Sequence, residues 1–148
     1  MLPVAVQTLL FYTESLSMFG LMQNQPLLQS SLIEFAAASH GATEIVSRRV
    51  AHRYTWHHAA RRVRQLAHAL DGLGLSADAR VGSVGWNGYR HLEMYFGVSG
   101  SGRVLHTINP RLHPDQIAWI VNHAEDRIVC FDMSFLPLIQ AVHARCPT

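Results

Sequence analysis

The chain has 148 residues, of which 49% are hydrophobic and 15% are charged. This balance is typical of a globular domain with an apolar core, and it argues against a disordered or fibrous chain. The formal net charge is only +2, so the overall charge does not indicate a polyanionic partner. Arginine supplies all twelve basic side chains and no lysine is present, which excludes chemistry that depends on a lysine of this chain.

The N-terminal segment begins with the apolar run MLPVAVQTLLFY, which is similar in part to the core of a secretory signal. No positive charge precedes the run, Pro3 and Gln7 interrupt it, and no small-residue cleavage site follows. It is also shorter than the roughly 20 apolar residues that a membrane helix needs. We therefore predict no transmembrane segment. We expect residues 1–17 to be an upstream extension of a domain that covers residues 18–148 and starts at Met18.

The two cysteines, Cys130 and Cys146, show neither metal-ligand spacing nor the spacing of a disulfide framework. A reducing compartment is the simplest context for such thiols, so a cytoplasmic location is predicted. Cys130 lies in an apolar strand pattern, where a thiol acts as a small hydrophobic group.

A helix and then a pair of short strands are predicted after the N-terminal segment. The helix spans about residues 26–41, with Ser30 or Ser31 as its cap and Glu34 placed to complete a capping box. The strands are EIVS and RYT, which lie on either side of residues 49–52.

A second helix and the first strand of another sheet follow. Thr55 is predicted to cap a helix over residues 56–73, in which apolar residues recur at spacings of three and four. The strand is RVGSVGW, where Gly82 and Gly85 permit a close approach of backbones. Gly82 is predicted to lower the stability of this strand by about 0.5–1 kcal/mol relative to alanine.

Further helices and strands alternate to the end of the chain. Asn87 is predicted to cap the helix YRHLEMYFGVSGSG, which Gly100 and Gly102 end before the strand RVLHT. After the loop INPRLHP come the helix DQIAWIVNHA, the strand RIVCFD and the helix SFLPLIQAVHARC. This alternation predicts an α/β fold with a parallel sheet and right-handed crossover helices. The sheet is expected to be incomplete, because short parallel strands need cover on both faces and further neighbours.

Six arginines lie close together in the sequence with no acidic residue among them. The main interpretation is a solvated helix face and turn, whose acidic partners come from elements that are distant in sequence. The alternative is a phosphate-rich or nucleic-acid partner, for which arginine is a suitable ligand, although aromatic residues for base stacking are few. The arginines of this block are Arg48, Arg49, Arg53, Arg61, Arg62 and Arg64.

No constellation for catalytic turnover is visible. Residues 97–102 lie where a helix leads into a strand, whereas glycines that hold phosphate lie between a strand and a helix, so GVSGSG is predicted to end a helix. Ser83 lies in GSVG, which is not the nucleophile elbow GxSxG. Glu125 and Asp126 are adjacent at a helix end before Arg127, so solvation or a local ion pair explains them.

Ten histidines are many for this length and raise the question of a metal site. His57 and His58 are adjacent and point to different sides of a helix, and no pair four residues apart on a helix has a third ligand in view. Solvated or hydrogen-bonded imidazoles are the simpler interpretation. From the sequence we therefore assign no catalytic, cofactor-binding or metal-binding residue.

Three segments carry a likeness to a known family: RYTWHHAARRVRQLAHALDGLGL, DARVGSVGWNGYRHLEMYFGVSGSGRVLHTINPRL and HPDQIAWIVNHAEDRIVCFD. In order and spacing they resemble the N-terminal region of medium- and long-chain fatty acyl-CoA synthetases, which are adenylate-forming ligases. The likeness covers about residues 18–145 and is one of whole segments rather than of a catalytic motif. The fatty-acid branch is indicated in particular by WNGYRHLE and by LHTINPRL followed by IVNHAED.

This resemblance implies the N-terminal part of an AMP-binding domain, an incomplete parallel-sheet subdomain of the adenylate-forming fold. It implies that the whole protein activates a fatty acid with ATP and Mg²⁺ to an acyl-adenylate and then forms the thioester with CoA. The family's phosphate loop, acidic metal ligand and lysines are expected after residue 148, so this chain alone is expected to be structural, inactive and free of bound cofactor. Relatives in this branch often form homodimers through the N-terminal region, for which Leu28, Leu32 and Phe35 are the candidate contact.

Two other functions stay open. One is a standalone interaction or regulatory module that dimerises with a full-length synthetase. The other is an arginine-rich module that binds phosphate or nucleic acid, which predicts an affinity that falls steeply with salt.

Overall fold

The computed structural model describes residues 20–21 and 23–146. The predicted upstream extension, 1–17, and the predicted start at Met18 lie outside the described residues. Within the described part, no helix is long and apolar enough to cross a membrane.

Helices and strands follow one another in the order that the hydrophobic pattern predicts, with boundaries within a few residues of the predicted ones. One turn of 3₁₀ helix, Arg48–Val50, joins the first two strands, and another, Met133–Phe135, precedes the last helix. The elements are α1 (Gln29–His40), β1 (Glu44–Ser47), β2 (His52–Thr55), α2 (Trp56–Gly72), β3 (Arg80–Val84), α3 (Tyr89–Ser99), β4 (Val104–Thr107), α4 (Pro114–Ala124), β5 (Ile128–Phe131) and α5 (Leu136–His143).

The described strands form two separate sheets. Strands β1 and β2 make an antiparallel hairpin, with Ile45 opposite Tyr54. Strands β4, β3 and β5 make a parallel sheet in that spatial order, with Val81 paired to Leu105 on one side and to Ile128 on the other. The predicted α/β fold with a parallel sheet is therefore confirmed, and β3 is its middle strand.

The side chains of β3 alternate between the two faces of the parallel sheet, as the geometry of a strand requires. Val81 packs with α2 and with Val98 of α3. Val84 packs with Ile117 of α4 and Val142 of α5. Helices α2 and α3 therefore cover one face and α4 and α5 cover the other, which buries both faces of the sheet.

Helix α1 buries one narrow stripe and leaves the rest of its surface free. Ile33 and Ala37 are buried against α2. Leu28, at the start of the helix, and Leu32 and Phe35 are exposed. The apolar surface that the sequence suggests as a homodimer contact is therefore accessible in the described part of the chain.

The caps of α2 and α3 show how the hairpin positions the helices that follow it. Thr55 caps α2 as predicted, because its hydroxyl oxygen accepts a backbone N–H of the first turn at 3.4 Å. The prediction that Asn87 caps α3 is wrong: Gly88 precedes this helix, and the Ser47 hydroxyl of the hairpin accepts the Tyr89 N–H at 3.3 Å. The side chain that accepts a hydrogen bond from the first turn of α3 is therefore distant in sequence rather than local.

Helix α1 also begins differently from the prediction. It follows Leu28, and no side chain caps its free N–H groups. Ser31, one of the two predicted caps, instead donates its hydroxyl to the carbonyl oxygen of Leu28 at 2.6 Å. The predicted capping box is therefore absent, and the Glu34 carboxylate binds Arg64 of α2 instead.

Tyr54 lies in the buried cluster between the hairpin, α2 and α3. Its ring is 4.9 Å from that of His52 and 5.9 Å from that of Tyr89, measured between centroids. Burial raises the pKa of Tyr54 well above its ordinary value, and the nearby charge of Glu93 adds to the effect. The folded protein therefore keeps this phenol neutral in alkaline solution.

We expect the protein to lose stability as the pH rises above about 10, because the unfolded chain then releases the Tyr54 proton while the folded chain retains it. This contribution is complete below that pH and is lost above it, at no more than about 1.4 kcal/mol per pH unit. Urea unfolding over this pH range should show a flatter dependence in Tyr54→Phe than in the parent. Tyr95→Phe, at an exposed position, is the control. An unchanged slope in Tyr54→Phe would contradict the prediction.

Candidate functional site

A crevice opens at the carboxyl ends of the parallel strands. Helix α3 follows β3 on one face of the sheet, and α4 follows β4 on the other, so the loops that leave these two strands diverge. In open α/β sheets, ligands bind in the crevice at such a reversal. Here the crevice has a volume of about 380 Å³ and is lined by residues 85–87, residues 107–111 and the side chains of Ser83, His91 and Tyr95. We call it the switch-point crevice.

Ser83 and His91 meet in this crevice. The Ser83 hydroxyl lies 3.2 Å from Nδ1 of His91 and 3.7 Å from the sulfur of Met94. Ser83 is only 1% exposed, and burial lowers the pKa of His91 although the charge of Asp132 opposes this. The neutral imidazole of His91 can form hydrogen bonds with an uncharged polar group in the crevice. The Ser83 hydroxyl is not suited to nucleophilic attack, because it is not accessible.

Asp132, directly after β5, holds the loop that follows β3. One carboxylate oxygen accepts the Trp86 backbone N–H at 2.8 Å, and the other lies 3.7 Å from the guanidinium of Arg90. The indole N–H of Trp86 donates to the Ser134 hydroxyl at 2.8 Å. The guanidinium of Arg49 lies 3.9 Å from the centre of the Trp86 ring, within the range of a cation–π contact. This wall of the crevice is therefore fixed by both β5 and the hairpin.

A second polar pair, of which one member is fully buried, lies on the opposite face of the sheet. His106 of β4 places Nδ1 2.8 Å from one carboxylate oxygen of Asp126 and 3.0 Å from the other. Asp126 is completely buried, and burial raises its pKa although the His106 imidazole opposes this. The interpretation of Asp126 as a solvated residue is therefore wrong. Its carboxylate turns inward, whereas that of Glu125 stays exposed, 3.4 Å from Arg80.

Two glycines permit close packing, Gly82 beside Asp126 and Gly97 between two helices. A methyl group at Gly82 would lie 2.9 Å from a carboxylate oxygen of Asp126 and 3.1 Å from the side chain of Val129. The prediction that Gly82 weakens its strand relative to alanine leaves out these contacts, because an alanine methyl group would require the Asp126 carboxylate to shift. A methyl group at Gly97 would lie 2.8 Å from Leu66, so this glycine sets the close contact between α2 and α3.

The arginine block does not form one basic face. Three of its members bind carboxylates from other elements, and the partners of Arg62 and Arg64 are distant in sequence, as the main interpretation predicts. Arg48 and Arg49 lie exposed on the turn of the hairpin and bind no carboxylate in the described part of the chain. The three ion pairs are Arg53 with Glu44 at 2.9 Å, Arg62 with Glu93 at 2.6 Å and Arg64 with Glu34 at 2.5 Å.

The remaining candidates for chemistry are scattered. Among the described residues, no three histidine, cysteine, aspartate or glutamate side chains lie close enough to hold a metal ion. Cys130 and Cys146 are free thiols. Burial raises the pKa of the Cys130 thiol, so little of it is the reactive thiolate.

Comparison with known proteins relates this arrangement to a family. The sequence profile described as "AMP-binding enzyme" matches residues 33–145. The chain is 50% identical over 128 residues to the 3-methylmercaptopropionyl-CoA ligase of Ruegeria lacuscaerulensis, over 84% of this chain and 24% of that protein. It is 45% identical over 133 residues to the medium-chain-fatty-acid–CoA ligase of Ectopseudomonas oleovorans, over 88% and 24%. The chain thus spans about a quarter of the length of these relatives.

Solved structures show the same fold. The N-terminal domain of FACL13 from Mycobacterium tuberculosis is similar with a TM-score of 0.75 at 20% identity, over 79% of this chain and 30% of that one. The anthranilate CoA ligase AuaEII is similar with a TM-score of 0.76 at 22% identity, over 85% and 25%. The parallel sheet with its crossover helices therefore matches the N-terminal part of such ligases, as predicted. With the family profile matching most of its length, the chain belongs to the AMP-binding enzyme family.

Proposed function

We propose that this chain is part of an acyl-CoA ligase, which uses ATP to convert a fatty acid into its CoA thioester through an acyl-adenylate. The observation that supports this most directly is the 50% identity to an acyl-CoA ligase over most of the chain. Another relative, the long-chain-fatty-acid–CoA ligase of Thermus thermophilus, is 44% identical over 130 residues. The names of these relatives agree in the reaction class and differ in the acid.

We propose that residues 18–148 form the N-terminal part of the adenylation domain and have a structural role. They supply three strands of a parallel sheet and the walls of the switch-point crevice. The chain has no lysine, and no three potential metal ligands converge in its described part, so we assign no site for the phosphates of ATP or for Mg²⁺ to these residues. The groups that bind ATP, Mg²⁺ and CoA are then supplied by the remainder of the enzyme.

Two activity assays test this proposal. The purified 148-residue chain, given ATP, Mg²⁺, CoA and a panel of acids from 3-methylmercaptopropionate to palmitate, is expected to form no acyl-CoA. A chimera in which residues 33–145 replace the matching part of the Ectopseudomonas ligase is expected to retain thioester formation. Turnover by the chain alone would overturn the structural role. A folded chimera that activates none of the acids would overturn the assignment to an acyl-CoA ligase.

Association and location are proposed on separate grounds. A homodimer through the exposed Leu28, Leu32 and Phe35 is supported by the accessibility of these side chains. A module that pairs with a full-length synthetase would use the same surface, and size-exclusion chromatography of the mixed proteins distinguishes the two. A cytoplasmic location is supported by the two free thiols and would be checked by cell fractionation.

A further inference from the structure

A small recess opens beside Gly85, the first residue after β3. Its volume is about 130 Å³, and it shares Ser83, Gly85 and His91 with the switch-point crevice. A methyl group added at Gly85 would lie 3.6 Å from Oδ2 of Asp132, 3.6 Å from Nδ1 of His91 and 3.8 Å from the Ser83 hydroxyl oxygen. Polar atoms from β3, from α3 and from the residue after β5 therefore surround one point. We call this space the Gly85 recess.

The polar atoms around the Gly85 recess are suited to accepting hydrogen bonds. The carboxylate of Asp132 has no hydrogen to donate. The imidazole of His91 is neutral because burial lowers its pKa, and with its proton on Nε2 the facing Nδ1 is an acceptor as well. The hydroxyl of Ser83 then directs its hydrogen to the sulfur of Met94, 3.7 Å away. A ligand that fits the recess therefore brings hydrogen-bond donors.

Asp132 supplies the negative charge of the recess, and its side chain is 22% exposed. Its Oδ2 accepts the Trp86 N–H at 2.8 Å, and a carboxylate oxygen has a second lone pair for a further donor. The guanidinium of Arg90 approaches the other oxygen, Oδ1, at 3.7 Å, and its side chain is 64% exposed, so water screens this charge. A cationic donor can therefore bind Oδ2 without displacing either partner.

We propose that the Gly85 recess binds the ammonium group of a small aliphatic primary amine. The ammonium group donates one N–H to Oδ2 of Asp132 and another to Nδ1 of His91, and the carboxylate balances its charge. The alkyl chain leaves the recess for the switch-point crevice, where Tyr95 is 46% exposed. The proposal goes beyond the proposed function and does not rest on it, because binding here needs neither ATP nor turnover.

The experiment is a titration of the complete, ¹⁵N-labelled chain with propylammonium chloride at constant ionic strength, followed by NMR. Saturating shift changes are expected at Gly85, Trp86, His91 and Asp132, with a millimolar dissociation constant. Tetramethylammonium has the same charge but no N–H group, and propanol has a similar chain but no charge. Each is expected to bind at least about tenfold more weakly. Potassium, a cation without hydrogen-bond donors, is expected to cause no saturating change.

Gly85→Ala fills the recess and is expected to abolish saturable binding of propylammonium. The new methyl group would lie at ordinary contact distance from its three neighbours, and Gly85 has no positive φ, so the fold is expected to remain intact. The NMR spectrum of the variant shows this directly. Gly72→Ala, where a methyl group meets nothing within 4 Å, is the matched control and is expected to leave the affinity unchanged.

Asp132→Asn tests the role of the charge. It keeps an oxygen that can accept the Trp86 N–H, and it is expected to weaken propylammonium binding by about tenfold or more. Glu125→Gln also replaces a carboxylate by an amide, at an exposed position outside the recess, and is expected to leave the affinity unchanged.

Several outcomes would overturn the proposal. Shift changes that are absent, or that lie away from the Gly85 recess, would show that the recess binds no amine. Unchanged affinity in Gly85→Ala would place the ligand elsewhere. Equal binding of tetramethylammonium or potassium would show that charge alone attracts the cation, and equal binding of propanol would show that the alkyl chain, not the ammonium group, is recognised.

Discussion

Replacing Asp126 with asparagine is expected to lower the free energy of unfolding by about 2–3 kcal/mol. The variant keeps the shape of the side chain but removes the charge that faces Nδ1 of His106 at 2.8 Å. It also puts an amide donor where a buried carboxylate oxygen now accepts, in a position with no exposure to water. Urea unfolding at neutral pH, followed by circular dichroism, measures the change.

The neighbouring residue provides the control for this experiment. Glu125→Gln makes the same replacement of a carboxylate by an amide, one position earlier, where the side chain is exposed and lies 3.4 Å from Arg80. Its effect is expected to stay within about 0.5 kcal/mol, because exposed ion pairs contribute little. Similar losses in the two variants would contradict a special contribution from the contact of Asp126 with His106.

Replacing Gly82 with alanine is expected to destabilise the protein by about 1–3 kcal/mol. Strand propensity alone predicts a gain of about 0.5–1 kcal/mol, so the two arguments differ in sign. The structure favours the loss, because the new methyl group would lie 2.9 Å from a carboxylate oxygen of Asp126 and would displace it from His106. The same unfolding measurement decides between them.

Gly72→Ala is the matched control, because a methyl group at Gly72 meets nothing within 4 Å. That variant is expected to be unchanged or more stable by up to about 1 kcal/mol. The effects of Gly82→Ala and Asp126→Asn are expected to be non-additive, since both act on one buried pair. Strict additivity in the double variant would contradict a shared site.

The elements of the fold could be predicted because their signals are local. Thr55 precedes an amphipathic run and caps it, and Gly100 follows the last turn of α3. Alternation of strands and helices then implies parallel pairing, since a crossover helix returns the chain in the same direction. The predicted cap at Asn87 is wrong because the competing group, Ser47, is distant in sequence and no local pattern reveals it.

The polar pairs could not be predicted for the same reason. Asp126 follows a helix end, where most acidic residues are solvated, and only the folded structure shows that it is fully buried and contacts His106. In the sequence, Gly82 resembles a residue that weakens its strand. Only the structure shows that the side chains of Asp126 and Val129 lie where a methyl group would be. Ser83 and His91 are different, because they are close in sequence. A hydroxyl near the end of a strand and an imidazole in the first turn of the next helix are a usable signal, which a search for the GxSxG motif overlooks.

The middle position of β3 has a consequence for the order in which the sheet assembles. Both of its partners come later in the chain, and the one on β5, Ile128, is about twice as far along the chain from Val81 as Val104 on β4 is from Arg80. Closing the longer loop costs more chain entropy, although only slightly if the chain is flexible. Pairing of β3 with β4 therefore has the lower entropic barrier. On this argument we expect strand β5 to dock last on a pre-formed edge, so that Asp126, two residues before this strand, reaches its buried position in that step.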